Sequence, residues 1–165
     1  AVEKIRREIP GVTLRTTAIV GFPGETEAQF AELCEFVKET GFDRFGAFTY
    51  SPEEGTPAAE FPDQIDEQVK QDRYDTLMAV QLEVSEKKMQ EKIGDVIEVL
   101  CEGYDPDEES YFGRTYADSP DVDGKIWFTS EQHVKTGDFV RVRIVDTYDG
   151  ELVGIAEDDI DDDGE

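Results

Sequence analysis

The sequence predicts an α/β segment followed by a small antiparallel five-stranded β-barrel, and a change of pattern along the chain supports this fold class. Over residues 1–92 apolar side chains recur alternately at strand and helix spacing, whereas beyond residue 93 only short strand-like runs remain. We therefore expect one domain over residues 1–92, a barrel over residues 93–156 and a disordered acidic tail over residues 157–165.

The α/β segment is organised around a strand that runs into a glycine turn. Residues 12–20 are predicted to form a strand, because they end in an apolar run typical of a strand buried on both faces. Residues 21–24 interrupt the run with two glycines and a proline, and Thr26 and Gln29 then have the spacing of a helix capping box. Ligands of parallel sheets bind at the carboxyl ends of strands, so residues 21–25 form the first candidate ligand site.

The next elements complete a parallel unit. Residues 27–40 are predicted to form a helix that Gly41 ends as a left-handed cap, and residues 44–51 form a second strand. Parallel strand pairs are found almost only in sheets covered on both faces, and two strands cannot supply such a sheet. We therefore expect residues 1–62 to be the last βα repeats of a larger barrel or doubly wound sheet, and the chain to be a piece of a longer protein.

A long helix is predicted to connect this unit to the barrel. Residues 51–62 contain three prolines and a glycine, which indicates a loop at the ligand end of the sheet. Asp63 is placed to cap a helix that runs to about residue 92. The predicted buried stripe of that helix consists of Ile65, Val69, Leu77, Val80 and Val84.

Five short runs with β propensity predict the barrel, and Asp149 with Gly150 between the last two is a strong hairpin signal. Short strands at this spacing are typical of a small closed barrel, which protects its edges by closing on itself. The runs cover residues 95–102, 111–116, 124–129, 138–147 and 151–156.

Charge and cysteine content restrict the partner and the compartment. With 41 acidic and 16 basic side chains the formal net charge is -25, which opposes the phosphate neutralisation that drives most nucleic-acid binding. A basic protein is the expected partner, although strong acidity also serves simply to keep a protein soluble.

Cys34 and Cys101 form no CxxC motif, and we expect both to be small buried residues of a protein in a reducing compartment. We find no signal peptide and no apolar run near membrane-spanning length, so we expect a cytoplasmic protein without membrane contact.

Most single polar residues have a simple interpretation. The turn at residues 21–25 lacks the endings of a P-loop and of a dinucleotide motif, so it fits a tight connection as well as a ligand site. His133 is expected to be a solvated loop residue, and Glu53 with Glu54 a charged lid rather than an acid/base pair.

The run between Tyr111 and Phe128 combines aromatic, arginine and aspartate side chains. Strand aromatics in small barrels are usually core, but aromatic residues mixed with arginine are also concentrated in protein interfaces. We therefore expect part of this run to recognise a cationic protein substrate. The candidate substrate-binding residues are Arg114, Tyr116, Asp118, Asp121, Asp123 and Trp127.

Two longer motifs carry a family resemblance. TTAIVGFPGET at residues 16–26 and FGAFTYSPEEGTPA at residues 45–58, followed by a long helix and a barrel, resemble the carboxyl-terminal half of a radical SAM methylthiotransferase. The resemblance implies a partial TIM-type barrel that binds S-adenosylmethionine and two 4Fe-4S clusters, followed by an OB-like TRAM domain. The run GRTYADSPDVDGKIWF at residues 113–128 resembles the branch that adds a β-methylthio group to an aspartate of a small-subunit ribosomal protein.

The resemblance also implies roles for individual residues. Ile19, Gly21 and Phe22 match the strand end that approaches the adenine of the cofactor, and Tyr50 and Ser51 are candidates for the same pocket. The cluster-binding cysteines are absent, so we expect them upstream and expect this chain to hold no metal ligands or catalytic residues and to be inactive alone. The alternatives are a fragment of a tRNA-adenosine methylthiotransferase and a non-catalytic acidic protein-binding module.

Overall fold

The computed structural model describes residues 1–157, which divide into two compact units, Ala1–Ser85 and a second unit that begins at Glu86. Of the tail predicted at residues 157–165, only Glu157 is described, and residues 158–165 lie outside the described part. The fold class is confirmed: helices and parallel strands come first, and a closed five-stranded barrel comes after them.

The first unit contains a parallel strand–helix–strand arrangement. The two strands pair in parallel from Arg15 opposite Arg44 to Val20 opposite Thr49. A helix connects them, and its capping box between Thr26 and Gln29 is present as predicted. The elements are α1 (Val2–Glu8), β1 (Arg15–Val20), α2 (Glu27–Thr40), β2 (Arg44–Thr49), a 3-10 helix (Pro57–Glu60) and α3 (Glu67–Glu91), which ends in the second unit.

Only one face of this two-stranded sheet is buried within the described residues. Val20 and Ala47 belong to the core of the unit, whereas Ile19 and Phe48, which are partners in the strand register, are 56% and 66% exposed. The apolar run at the end of β1 predicts a strand buried on both faces, but within residues 1–157 this strand is buried on one face only. The core of this unit consists of Val20, Phe30, Val37, Ala47 and Leu77.

Helix α3 departs from the prediction at its start and on its buried side. Asp63 has a φ of 61° and its carbonyl accepts a bond from the Gly24 amide at 3.0 Å, so it does not cap the helix. The Asp66 carboxylate instead accepts a bond from the Gln68 amide at 2.9 Å. Of the predicted apolar stripe only Leu77 is buried, and Ile65, Val69, Val80 and Val84 are half-buried. The buried residues are Lys70, Arg73, Leu77 and Gln81.

The barrel closes in the order β3-β4-β5-β7-β6, and four of its five pairings are antiparallel. The pairing of β5 with β7 is parallel, which corrects the prediction of an antiparallel barrel. Five strands in a ring cannot alternate in direction throughout, so at least one neighbouring pair must be parallel. The strands are β3 (Val96–Asp105), β4 (Ser110–Arg114), β5 (Ile126–Thr129), β6 (Phe139–Tyr148) and β7 (Glu151–Ala156).

The barrel interior is filled by apolar side chains, as expected of a small closed barrel. The predicted hairpin joins the last two strands, and Asp149 and Gly150 have the positive φ values of 48° and 77° that such a turn requires. The fully buried residues of this core are Val99, Cys101, Ile126, Phe128, Val142 and Ile144.

Candidate functional site

The glycine turn at the carboxyl end of β1 is closed by its own glutamate. Gly21 has a φ of 73°, and its amide donates a hydrogen bond to Oε1 of Glu25 at 2.9 Å. The Glu25 amide in turn donates to the Phe22 carbonyl at 2.9 Å. The Glu25 side chain therefore lies over the turn and satisfies the first amide after the strand.

An arginine from α3 holds this glutamate in place. Arg73 Nη1 lies 2.7 Å from Glu25 Oε1 and 3.1 Å from the Glu25 carbonyl, and Nη2 donates to the Glu27 carboxylate. The Arg73 side chain is only 6% exposed and that of Glu25 only 12%, so little water competes with the contact. Burial lowers the pKa of the Arg73 guanidinium, but hydrogen bonds and charges from Glu27 and Glu25 outweigh burial and raise the pKa above its ordinary value.

A lysine from the same helix fills the space beside the turn. A Cβ atom on Gly21 would lie 2.4 Å from Cγ of Lys70, so the glycine is required by the lysine stem as well as by its positive φ. The Lys70 side chain is 2% exposed, its Nζ lies 2.6 Å from Glu67 Oε1, and Nζ is 5.3 Å from the centroid of the Tyr50 ring. The need for glycine at position 21 is therefore explained by its close packing against Lys70 of α3, without the close approach of a ligand.

Aromatic rings surround the open side of the turn. The Phe22 ring packs edge-to-face against Tyr50 at 5.1 Å and against Phe61 at 6.2 Å between centroids. Phe22 and Phe61 are exposed, whereas Tyr50 is buried and its hydroxyl has no hydrogen-bond partner among the described residues. A buried phenol without a partner is costly and marks a place where a ligand could supply one.

The five predicted cofactor-binding residues lie at the carboxyl ends of β1 and β2. Gly21, Phe22 and Tyr50 are brought together in one cluster, and Ser51 follows Tyr50 with an exposed side chain. Ile19 lies on the exposed face of β1. Their predicted role in cofactor binding stays a prediction.

Lys70, Arg73 and Phe61 were missed by the sequence reasoning. Charged residues within a helix are normally expected on its solvated side, so the apolar pattern of α3 predicts a buried face that excludes Lys70 and Arg73. One feature of the sequence indicates the buried face: Lys70, Arg73 and Leu77 have the spacing of residues on one side of a helix. Basic side chains are also few in this acidic chain.

In the barrel, two of the predicted substrate-binding aspartates stabilise their own loop. The Asp118 carboxylate accepts bonds from the Thr115 amide and hydroxyl at 2.9 and 2.7 Å, and Asp123 accepts from the Ser119 amide at 2.7 Å. Asp121 lies between them in a left-handed conformation, with a φ of 58°. This loop therefore has a defined shape that presents Asp121 to solvent.

The other predicted substrate-binding residues lie on both sides of this loop in the sequence. Arg114 Nε lies 3.0 Å from Glu102 Oε1 as a charge contact without the alignment of a hydrogen bond, and Tyr116 is exposed. Trp127 Nε1 donates to Glu151 Oε2 at 2.5 Å, and the Lys125 amide donates to the second oxygen at 2.8 Å. No observation assigns these residues to a substrate, so their role stays a prediction.

The aromatic run divides between core and surface. Phe128 is fully buried and Tyr111 packs against the core, with 5.5 Å between the two ring centroids. Phe112 and Trp127 are neighbours in the strand register, and Lys125 Nζ lies 4.3 Å from the Phe112 centroid and 5.6 Å from that of Trp127. A cation over two rings stabilises this surface from within the chain.

A groove of about 480 Å³ beside the barrel was not predicted. His133, an exposed loop residue as expected, lines it, and the Tyr111 hydroxyl accepts a bond from the Val134 amide at 3.3 Å. The remaining lining residues are Gly103, Tyr104, Lys135 and Thr136.

Residues 1–157 contain no group of three or more histidine, cysteine and acidic side chains arranged to hold a metal ion. Cys34 is half-buried and Cys101 buried, and in both thiols burial is the main cause of a raised pKa. Within the same residues, no helix combines the length and apolar character needed to cross a membrane.

Comparison with known proteins relates both units to one family. Residues 93–156 match the family model of the TRAM domain. The chain is 46% identical over 154 residues to the ribosomal protein uS12 methylthiotransferase RimO of Clostridium botulinum (strain Langeland), which covers 93% of this chain and 34% of that protein. It is 49% identical over 154 residues to the protein of the same name from Desulforamulus reducens, covering 93% and 35%.

The chain thus spans about a third of the length of these relatives. The resemblance drawn from the two motifs and the barrel is confirmed, because the similarity runs through both units. The chain is therefore similar to the RimO methylthiotransferases over 93% of its length, and residues 93–156 match the TRAM domain.

Proposed function

We propose that this chain supplies the cofactor-side turn and the substrate-binding barrel of a longer methylthiotransferase that modifies ribosomal protein uS12. The observation that carries the proposal is the extent of the similarity: 154 residues that include the turn, α3 and the barrel. The modified atom, as the family resemblance implies, is the β-carbon of an aspartate. We place the reaction in the cytoplasm, where ribosomal proteins are made.

The residues at the end of β1 and β2 fit an adenosyl group. Ile19 and Phe22 offer exposed apolar surface, and the buried Tyr50 hydroxyl lacks a partner among the described residues. A planar base with polar edges needs both kinds of contact. When bound, S-adenosylmethionine and two 4Fe-4S clusters would supply the radical chemistry and the sulfur, with the cluster ligands outside this chain.

The contribution of this chain to the cofactor site is to bind the adenosyl group and to orient it. Arg73 fixes Glu25, Glu25 fixes the Gly21 amide, and Lys70 closes the space behind Gly21. The turn is therefore set by α3 before any ligand arrives, which lowers the entropy lost on binding.

The barrel's contribution is recognition of a basic protein. The chain carries a net charge of -25, so within about a Debye length of its surface a cationic ribosomal protein is attracted and an RNA is repelled. Asp121 is presented to solvent by a loop that Asp118 and Asp123 stabilise, and Tyr116 is exposed beside it. We propose that these side chains contact the substrate, together with Arg114 and Trp127.

Binding measurements with the chain itself test the recognition step. Fluorescently labelled uS12 should bind the chain at about 50 mM salt, and the affinity should fall steeply at about 300 mM salt because exposed charges are screened. Asp121→Asn should weaken binding, whereas Asp107→Asn, at another exposed aspartate of the barrel, should leave it unchanged. Tighter binding of tRNA than of uS12 would favour tRNA modification instead. Equal effects of Asp121→Asn and Asp107→Asn would mean that binding depends only on the net charge of the chain and not on a specific contact at Asp121.

A further inference from the structure

A groove of about 360 Å³ lies on the outer side of the barrel, where β3 begins and β4 ends. Val96 and Glu98 are alternate residues of β3, so both side chains emerge on its exposed face and form one wall. Tyr116, two residues after β4, lines the groove as well and is 78% exposed. Asp95 and Lys92 also line this cavity, which we call the β3 groove.

The strand register explains why an aromatic ring and a carboxylate meet in the β3 groove. Leu100 of β3 pairs with Arg114 of β4 in an antiparallel ladder, so the same register continued by two residues brings Tyr116 opposite Glu98. Side chains that lie opposite each other on neighbouring strands are close enough to act on one ligand together. The phenol ring and the carboxylate therefore face the same opening.

The two carboxylates of the β3 groove are not paired within the described chain. Among residues 1–157, the side chains of Asp95 and Glu98 form neither a hydrogen bond nor an ion pair. Arg141 is the register partner of Glu98 on β6, but its Nη2 lies 3.3 Å from Glu157 Oε2. Lys92 forms no ion pair with either carboxylate in the same part of the chain. The groove therefore has two carboxylates against one ammonium group.

The lining of the β3 groove matches the parts of a long basic side chain. Lysine and arginine pack their aliphatic stems along apolar surface and keep their charged heads near water. Val96 is exposed and Ile97 half-buried, so both offer apolar surface to such a stem. The Tyr116 ring offers a face to the cation, and the Asp95 and Glu98 carboxylates accept its hydrogen bonds.

We propose that the β3 groove receives one lysine or arginine side chain of the basic protein substrate. This inference rests on the proposed function, which supplies a basic protein as the partner. Tyr116 also belongs to the loop that presents Asp121, so one bound protein can contact the loop and the groove together. The groove then adds a specific contact to the general attraction between an acidic surface and a cationic protein.

Nuclear magnetic resonance with a small probe tests the groove by itself. The isotope-labelled full chain is titrated with Nα-acetyl-arginine methylamide, and the citrulline analogue serves as a neutral control of similar shape. The arginine probe should shift the amide signals of Val96, Glu98 and Tyr116 more than those of the acidic turn at residues 105–109, and Glu98→Gln should remove most of this shift. Equal shifts around all exposed carboxylates, or equal shifts by the two probes, would overturn the proposal.

Binding of labelled uS12 to the full chain tests the occupant. Glu98→Gln should weaken binding about fivefold at about 150 mM salt, because the incoming cation loses a partner. Glu108→Gln removes the same charge from an exposed turn of the barrel and should weaken binding by less than about twofold. Circular dichroism establishes that both variants fold.

The two ways of failing are distinct. If the unchanged chain binds uS12 and Glu98→Gln and Glu108→Gln lose affinity equally, the groove is not the contact and the proposed function still stands. Absence of uS12 binding by the unchanged chain would instead contradict the proposed function, and the groove would lose its occupant whatever the small probe does.

Discussion

Replacement of Gly21 by alanine tests the packing between α3 and the turn. A left-handed φ of 73° costs an L-residue about 1–2 kcal/mol, and displacing the Lys70 stem, whose Cγ would lie 2.4 Å from the new Cβ, adds about 1–3 kcal/mol. Alanine also restricts the unfolded chain more than glycine does, and this effect offsets about 0.4–1 kcal/mol of the destabilisation. We therefore expect Gly21→Ala to lower the free energy of unfolding of the first unit by about 3 kcal/mol.

Gly24→Ala is the matched control. Gly24 has a φ of 82° in the same turn, and a Cβ atom there would meet nothing within 4 Å. Only the conformational cost then applies, so this variant should lose about 1 kcal/mol. In a Lys70→Ala background, which keeps only the Cβ of residue 70 at 3.1 Å from the new Cβ, Gly21→Ala should cost about 1–2 kcal/mol, which is a coupling of about 1–2 kcal/mol between the two positions.

Urea unfolding followed by two probes measures these differences. Far-UV circular dichroism reports mainly on the helices, which belong largely to the first unit, and fluorescence of Trp127, the only tryptophan, reports on the barrel. The fluorescence transition serves as an internal reference. Equal losses for Gly21→Ala and Gly24→Ala would refute the role of Lys70 in setting the turn.

Three further contacts give measurable outcomes. Arg73→Met should destabilise the first unit by about 3 kcal/mol, because it leaves the Glu25 carboxylate, 12% exposed, with the Gly21 amide but without its cationic partner, and Arg73→Lys should lose about half as much in urea unfolding by circular dichroism. Trp127→Phe should lower barrel stability by about 1–2 kcal/mol in thermal unfolding, since Glu151 loses its indole donor, and an unchanged midpoint would contradict the bond. Burial raises the pKa of Cys101 above its ordinary 9.0, so the thiol stabilises the barrel below pH 9 and this contribution is lost as pH rises through the higher folded value. Unfolding measured between pH 8 and 11 should therefore show a decline that is shallower in Cys101→Ala.

The features that the sequence predicted correctly are mostly local. The capping box of α2 involves Thr26 and Gln29, three residues apart, and the hairpin turn involves the adjacent Asp149 and Gly150. In both cases the residue types allow few other conformations at that spacing, so pattern and structure agree.

The features that were missed depend on distant contacts. Arg73 contacts Glu25, which lies 48 positions away in the sequence. The aliphatic part of the Lys70 side chain packs against Gly21, and the sequence does not show that a larger residue at position 21 would clash with it. The apolar stripe assigned to α3 failed for the same reason, because aliphatic stems of charged residues can be buried when their heads find partners. The odd number of strands requires at least one parallel pairing in the closed barrel, but it does not identify the pair as β5 with β7.

The mass of ribosomal protein uS12 tests the central claim most directly. Cells that lack the longer protein proposed to contain this chain would be compared with cells in which it is restored, and uS12 and tRNA would be analysed by mass spectrometry. We expect uS12 to gain a methylthio group on an aspartate only in the restored cells, while the tRNA is unchanged. Unmodified uS12 together with methylthiolated tRNA would contradict the account.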